Sequence, residues 1–403
     1  MIDFFNSVIW SVVIIFLLII SIIYSFKLKF LQIKLHKLLS PLKNKDNIKA
    51  LCISLGGKIG VGSLSGIAIA IYYGGIGVIF WIWLCSLITS IISYTETYLG
   101  VIYKEKNNSG TFYYLKKGLN NKKLSYLYAF ILLFTFVIGF NSIQTNTIIK
   151  LFNVDNILII KTILMIIFIY IIFKGKEIIG KISTIIVPIM MLIYIIIGLY
   201  IMINNINLIP SIFNNIIKEI FNEKTFLSGL LIGIQRSIFA TEIGTGTSSI
   251  ATSDSKDTPY NQGLSQIFGV HFISFIVCTI TFFIVVLSNY NNLTINDING
   301  IELISYAFDY HLGNNGNILL IIITFLFSFS TVISCYYYGE ISLKFLTKIN
   351  NFKLFIYKIL VLISIYLGMT LKATIIWSLV DIFLGILTLI NIYALYRLRD
   401  KVR

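Results

Sequence analysis

Residues 56–83 read GGKIGVGSLSGIAIAIYYGGIGVIFWIW. Gly60 and Gly62, followed by the hydroxyls of Ser63 and Ser65, interrupt an apolar run, 50–72, that is otherwise long enough to cross a membrane as one helix. A second stretch repeats the pattern: Ile59-Gly-Val-Gly-Ser-Leu-Ser65 and Ile243-Gly-Thr-Gly-Thr-Ser-Ser249 both read Ile-Gly-x-Gly-(Ser/Thr)-x-Ser. One Gly-x-Gly alone fits tight helix packing in lipid. Two copies, five apolar runs apart, cross the membrane in opposite directions, which is the mark of an inverted repeat. Glycine pairs beside hydroxyls let a helix unwind. Such backbone persists in a bilayer only where it is buried in protein or lines a wet cavity. Its free N–H groups attract a carboxylate and its free carbonyls attract a cation.

Working outward, the composition agrees with a membrane setting. Of 403 residues 57% are hydrophobic and 12% charged, and the mean hydropathy is +0.89, which excludes an ordinary soluble enzyme. The chain divides into eleven apolar runs: 8–26, 50–72, 76–103, 125–149, 156–174, 181–203, 226–252, 263–288, 317–340, 354–371 and 374–396. Each suffices as a helix for a hydrocarbon core of about 30 Å. The net charge of +15 does not point to nucleic acid, because it is placed by loop. Lysines crowd the segments after runs one, three, five and nine, from Lys27 to Lys49, Lys104 to Lys123, Lys174 to Lys181 and Lys344 to Lys353, and Arg397 to Arg403 end the chain. The alternate loops hold few bases, Lys372 among them, and the segment 289–317 carries Asp297, Glu302 and Asp309 with none. Basic loops stay in the cytoplasm, so the N-terminus is expected outside and the C-terminus inside a bacterial inner membrane. The first run lacks a small-residue cleavage site and reads as a retained helix.

Enzymatic signals are lacking. There is no His-Glu-x-x-His, Gly-x-Ser-x-Gly or Walker loop. Cys52, Cys85, Cys278 and Cys335 lie in apolar runs without Cys-x-x-Cys spacing and read as buried small hydrophobes. His271 is either a proton relay or a satisfied bundle-facing histidine, and Tyr336 to Tyr338 suit an interfacial aromatic belt. Lys58, Glu96, Arg236, Glu242, Glu340 and Asp381 fall in or near apolar runs, where a charge is functional or paired. No catalytic residue and no cofactor is assigned.

These motifs bring a family into view. The stretch 56–83 resembles the signature of the alanine or glycine:cation symporters. Similar to that family in order along the chain are Glu96, the run Asn141-x-x-Gln144-x-Asn146, Arg236-Ser-Ile-Phe-Ala-Thr-Glu-Ile-Gly-Thr-Gly246, Pro259 with Gln262-Gly263, Phe329-Ser-Thr331 leading to Tyr336-Tyr-Tyr-Gly-Glu340, and Trp377, Asp381 and Asn391. The resemblance implies an all-α fold similar to leucine transporters. An extra first helix with a basic linker (1–49) would precede two inverted repeats of five helices (50–203 and 204–403), with two broken helices. It implies uptake of alanine, glycine or a similar neutral amino acid with sodium or, less often, protons; an amino-acid sensor on the same fold is the alternative. The paired breaks and the resemblance together place a substrate carboxylate at the N–H groups around Gly60, Gly62, Gly244 and Gly246, with Gln144 and Thr247 adding side-chain contacts and Ser63, Phe239 and Cys335 lining the pocket. For sodium the resemblance implies the carbonyls of Gly56 and Ile59 with the hydroxyls of Ser330 and Thr331, a hard-oxygen set that suits the ion. Back-bonding of those hydroxyls to their own helix is the competing reading. Departures from the family pattern touch the pocket: Val61 and Ser63 stand for Thr and Asn, and Cys335 for a usual Trp. They predict a somewhat enlarged, less polar pocket.

Overall fold

The structure is a computed structural model that describes residues 2–152, 156–289, 300–348, 350–371 and 373–403. Asp297 and Lys372, which entered the charge pattern, lie outside the described residues. The described chain is helical, and its one β-type pairing is an isolated bridge between Glu105 and Asn108.

Nine helices are long and apolar enough to cross a membrane among the described residues, and one bent pair raises the number to ten. α1 (Ile2–Lys27) lies along α15 (Ala373–Arg397), and Tyr24 donates to the Leu395 carbonyl at 2.7 Å. The bent pair is α2 (Lys45–Lys58) and α3 (Val61–Gly74), turned by 43°. α4 (Val78–Ile102), α5 (Lys122–Lys150), α6 (Ile157–Lys174) and α7 follow, α7 being Lys176–Asn204 with Pro188 inside it. α8 (Ile209–Ile220) is too short to span; it buries Ile212, Ile216 and Ile220 along one face. α9 (Glu223–Thr241) and the five-residue α10 (Thr247–Ala251) flank the second glycine pair and together cover the run expected at 226–252. α11 (Pro259–Val286), α12 (Ile301–Leu312), α13 (Gly316–Leu346) and α14 (Asn351–Gly368) complete the order before α15.

Helix starts carry capping oxygens: Asn44 accepts from the Asp46 N–H at 2.9 Å, Asn121 from Leu124 at 3.0 Å and Asn350 from Lys353 at 2.8 Å. α5 and α11 each contain a wide π-type stretch, Leu133–Phe140 and Phe272–Val277. The two sequence halves interlock rather than stand apart, since α4 packs on α9 and α11, and α13 packs on α2 and α5. Polarity is inverted relative to a water-soluble protein. Ile166, Ile185 and Leu192 face outward, while Lys58, Glu96, Glu242 and Asn391 are buried. That arrangement suits a lipid surround.

The three consecutive tyrosines overturn the belt expectation. Tyr336, Tyr337 and Tyr338 are fully buried, with Tyr337 donating to Asp254 at 3.2 Å and Tyr338 to the Ile53 carbonyl at 3.5 Å. They sit on α13 where it packs against α2, so they bind helices to one another rather than to headgroups.

Candidate functional site

The two glycine pairs do break their helices, by different means. At the first, Ile59 (φ −85°, ψ 80°) and Gly60 (φ −128°, ψ −152°) are extended between α2 and α3. At the second, Glu242, Gly244 and Gly246 have φ of 51°, 81° and 81°, so the chain between α9 and α10 turns through the left-handed region. Glycine adopts that region without strain; Glu242 does not.

Around the first break, three of the four expected ion ligands, Gly56, Ser330 and Thr331, come together. Ser330 Oγ and Thr331 Oγ1 each donate to the Gly56 carbonyl at 3.1 Å. The same hydroxyls also lie 2.9 and 3.0 Å from the Phe327 carbonyl one turn back. Back-bonding orients the hydroxyls, and the same oxygens meet the carbonyl end of α2. The donor set fits a hard monovalent cation. Among the described residues no group of three or more His, Cys, Asp or Glu could hold a metal.

Part of the expected substrate set lies at the same break. The Val61 N–H, the first of α3, donates to Gln144 Oε1 at 3.0 Å. A Cβ on Gly60 would meet the Gln144 amide at 2.9 Å, and one on Gly62 would meet the Phe239 ring at 2.9 Å. Glycine at both places is a matter of space. Phe239 stacks between Phe140 (5.3 Å) and Trp377 (5.0 Å) and closes this region on one side. Ser63 turns back on its own helix, donating to the Gly60 carbonyl at 2.9 Å, while its carbonyl accepts from Thr281 at 2.8 Å. Cys335 is fully buried in the same apolar core as Phe239.

At the second break the protein supplies its own carboxylates. Glu96 Oε2, from α4, accepts from the Gly246 N–H at 3.0 Å and from Asn391 Nδ2 at 3.0 Å. Asn391 Nδ2 also donates to the Gly244 carbonyl at 2.8 Å, and Thr247 donates to Glu242 at 2.7 Å. Tyr128 holds the Thr245 carbonyl and Tyr114 holds Asn391. The Gly246 N–H is thus engaged by a carboxyl oxygen of the chain itself. Lys58, the last residue of α2, reaches across to α10: its ammonium donates to Ser248 at 2.8 Å, and Ser248 in turn meets Ser93 of α4 at 2.9 Å. This bridge ties the two breaks together.

Sequence reasoning named Lys58, Glu96 and Glu242 as intramembrane charges without seeing that they converge. The signal was present as three charges inside apolar runs, but what gathers them at the two breaks is tertiary packing. Of the others, Arg236 faces Asp381 at 3.5 Å, Glu340 pairs with Lys344 at 2.6 Å, and His271 meets the Ser90 hydroxyl at 3.1 Å as a satisfied core histidine does.

Comparison with known proteins agrees with this geometry. A profile described as the sodium:alanine symporter family matches residues 1–403. The chain is 34% identical to the probable sodium/glutamine symporter GlnT of Bacillus subtilis (strain 168), over 98% of the chain and 87% of that protein. It is 32% identical to the amino-acid carrier protein AlsT of the same organism, over 98% and 90%. It is 31% identical to the sodium/alanine symporter AgcS of Methanococcus maripaludis, over 98% and 94%.

Proposed function

Because the chain belongs to the sodium:alanine symporter family, whose members carry amino acids with sodium, we propose that it imports a small neutral amino acid, alanine or a near relative, in symport with sodium. It is a multi-pass membrane transporter and not an enzyme. The observation that carries the reading is the meeting of Ser330 and Thr331 with the Gly56 carbonyl beside a break at which the Val61 N–H donates to Gln144.

In this reading a sodium ion bound by Gly56, Ile59, Ser330 and Thr331 supplies positive charge at the carbonyl end of α2. The N-terminal turn of α3, starting at Gly60 and Gly62, receives the substrate carboxylate, and Gln144 shifts from the Val61 N–H to share it. Phe239 and Cys335 bound the side-chain pocket. Gly244, Gly246 and Thr247 act by shaping the second break, since Glu96 engages the Gly246 N–H. The α9–α10 pair counts as an eleventh span, and the two breaks as symmetry partners in a five-plus-five inverted repeat after α1. The basic loops lie in the cytoplasm with the C-terminus, leaving the N-terminus outside. The sensor reading finds no support among the relatives.

The test is uptake into proteoliposomes of labelled glycine, L-alanine, D-alanine, serine and glutamine, each with and without a sodium gradient. Sodium-driven accumulation of alanine or glycine is expected. Accumulation indifferent to sodium, or binding with no exchange, would overturn the proposal.

A further inference from the structure

α1 and α15 lie side by side and run in the same direction. Asn6 Nδ2 donates to the Ser378 carbonyl at 3.3 Å near one end, and Tyr24 to the Leu395 carbonyl at 2.7 Å near the other. On the outer side of the pair a groove of about 330 Å³ opens, from Phe16 to Ile23 on α1 and from Leu389 to Tyr396 on α15, with no charged side chain in its lining. Ile20 and Ile392 are buried at its floor, while Phe16, Ile19, Tyr393 and Tyr396 are exposed along its walls. Each side covers seven residue steps, about 10 Å of helix rise. The volume spread over that length gives a cross-section of roughly 30 Å², whereas a helix with its side chains, about 10–12 Å across, needs roughly 80 Å² or more. A hydrocarbon chain fits the groove; a helix of another subunit does not.

One end of the groove is charged. α1 has 26 residues, roughly 39 Å of rise, against a hydrocarbon core of about 30 Å, so its last residue, Lys27, stands at headgroup level. The Lys27 ammonium donates to the Arg399 carbonyl, which puts the end of α15 at the same level. There the Arg399 guanidinium lies over the Tyr396 ring at 4.7 Å, and that of Arg397 over the Tyr393 ring at 5.9 Å. The two rings that wall the groove therefore carry the two cations at its mouth. Both arginines are exposed, and among the described residues neither is paired with a carboxylate. Asp400 is the single acid in 391–403, against Arg397, Arg399, Lys401 and Arg403.

An apolar slot that ends in unpaired guanidinium groups calls for a ligand with a hydrocarbon tail and an anionic head. Phosphate oxygens match the fork of arginine N–H donors. A tail seated in the groove is in surroundings no more apolar than its neighbours in the bilayer, so the headgroup supplies the selectivity. We propose that the groove between α1 and α15 is a seat for an anionic glycerophospholipid, with an acyl chain between Ile19 and Tyr393 and the phosphate held by Arg397 and Arg399. In the orientation proposed above, the lipid belongs to the cytoplasmic leaflet. Asn391, one residue from the floor of the groove, donates to Glu96 and to the Gly244 carbonyl at the second break, so an occupied seat steadies the helix on which that contact depends.

The test uses the full purified chain, delipidated in detergent, titrated with dioleoylphosphatidylglycerol or dioleoylphosphatidylcholine and read by native mass spectrometry. The same two headgroups with a photoreactive diazirine on one acyl chain map where the chain lies. Phosphatidylglycerol is expected to bind at least about tenfold more tightly than phosphatidylcholine, with adducts in 16–23 and 389–396. Arg397→Gln with Arg399→Gln should bring the two lipids level. Lys122→Gln with Lys123→Gln, which removes the same charge outside the groove, should keep the preference, and Ile19→Trp, which fills the slot, should remove the adducts. Equal affinity of the native chain for the two lipids, adducts confined to other stretches, a preference lost equally in the lysine variant, or displacement by inorganic phosphate at the lipid's own concentration would each overturn the proposal.

Discussion

Glu96 accepts two hydrogen bonds on one oxygen while its other oxygen is buried without a partner, so its substitutions should divide sharply. Glu96→Gln keeps an oxygen for the Gly246 N–H and Asn391, whereas Glu96→Ala strands both donors, at about 1–3 kcal/mol each. The thermal midpoint in detergent should fall clearly for Ala and little for Gln; equal losses would show that the Gly246 contact is incidental. Ser330 and Thr331 make the second residue-scale case. The double change to Ala should raise the sodium concentration needed for half-maximal uptake at least about tenfold, and an unchanged sodium curve would remove them from the ion site. The two glycine breaks were legible in the sequence, because glycines beside hydroxyls restrict chemistry locally, whereas Ser330 and Thr331 were named only through the family resemblance. Glu96 and Lys58 were legible as anomalies only, since the partners of a buried charge lie more than a hundred residues away.

Elements show how far a repeated motif can be trusted. Ile-Gly-x-Gly-(Ser/Thr)-x-Ser foretold a break in both places, yet the first is extended and the second left-handed. The tertiary surroundings decide which. Gly246 has φ 81° and a Cβ there would run into Thr111 and Tyr128, so Gly246→Ala should cost more than the roughly 1–2 kcal/mol of a left-handed alanine and should suppress uptake. Gly66, with open space around it, provides the control, and Gly66→Ala should be tolerated. The short helix α8 was not foreseen, because its amphipathic pattern lies between spans and carries no motif. Its Glu219 accepts from the Gly77 N–H at 2.7 Å at the start of α4. Burial lifts the Glu219 carboxyl above its ordinary value of 4.5, and the N–H groups of Gly77 and Ile76 reverse only part of the rise. Burial thus favours the protonated form in the folded state, and the fold loses stability as pH climbs from the ordinary glutamate range through the raised value. Glu219→Gln should flatten that part of the stability–pH curve, which thermal melts across the range would register.

At the scale of the whole molecule, hydropathy was enough to find the nine spans and the bent pair among the described residues, because a bilayer imposes the same length and the same satisfied backbone on each. Hydropathy was not enough to reveal the cavity of about 520 Å³ whose walls come from α1, α3, α5, α9, α12 and α15 together. The Lys58 bridge has an electrical consequence. Lys58 closes the 14 residues of α2, and the 14 of α3 continue beyond the break, so at 1.5 Å per residue its backbone stands about 21 Å along the bent pair, roughly halfway. A unit charge moved across a membrane at 100 mV changes energy by about 2.3 kcal/mol. Any rocking of α2 and α3 that carries Lys58 through part of that field makes the cell's resting voltage a direct participant in the conformational cycle. Uptake measured at clamped potentials should lose part of its voltage slope in Lys58→Met, leaving the slope due to the coupled ion alone.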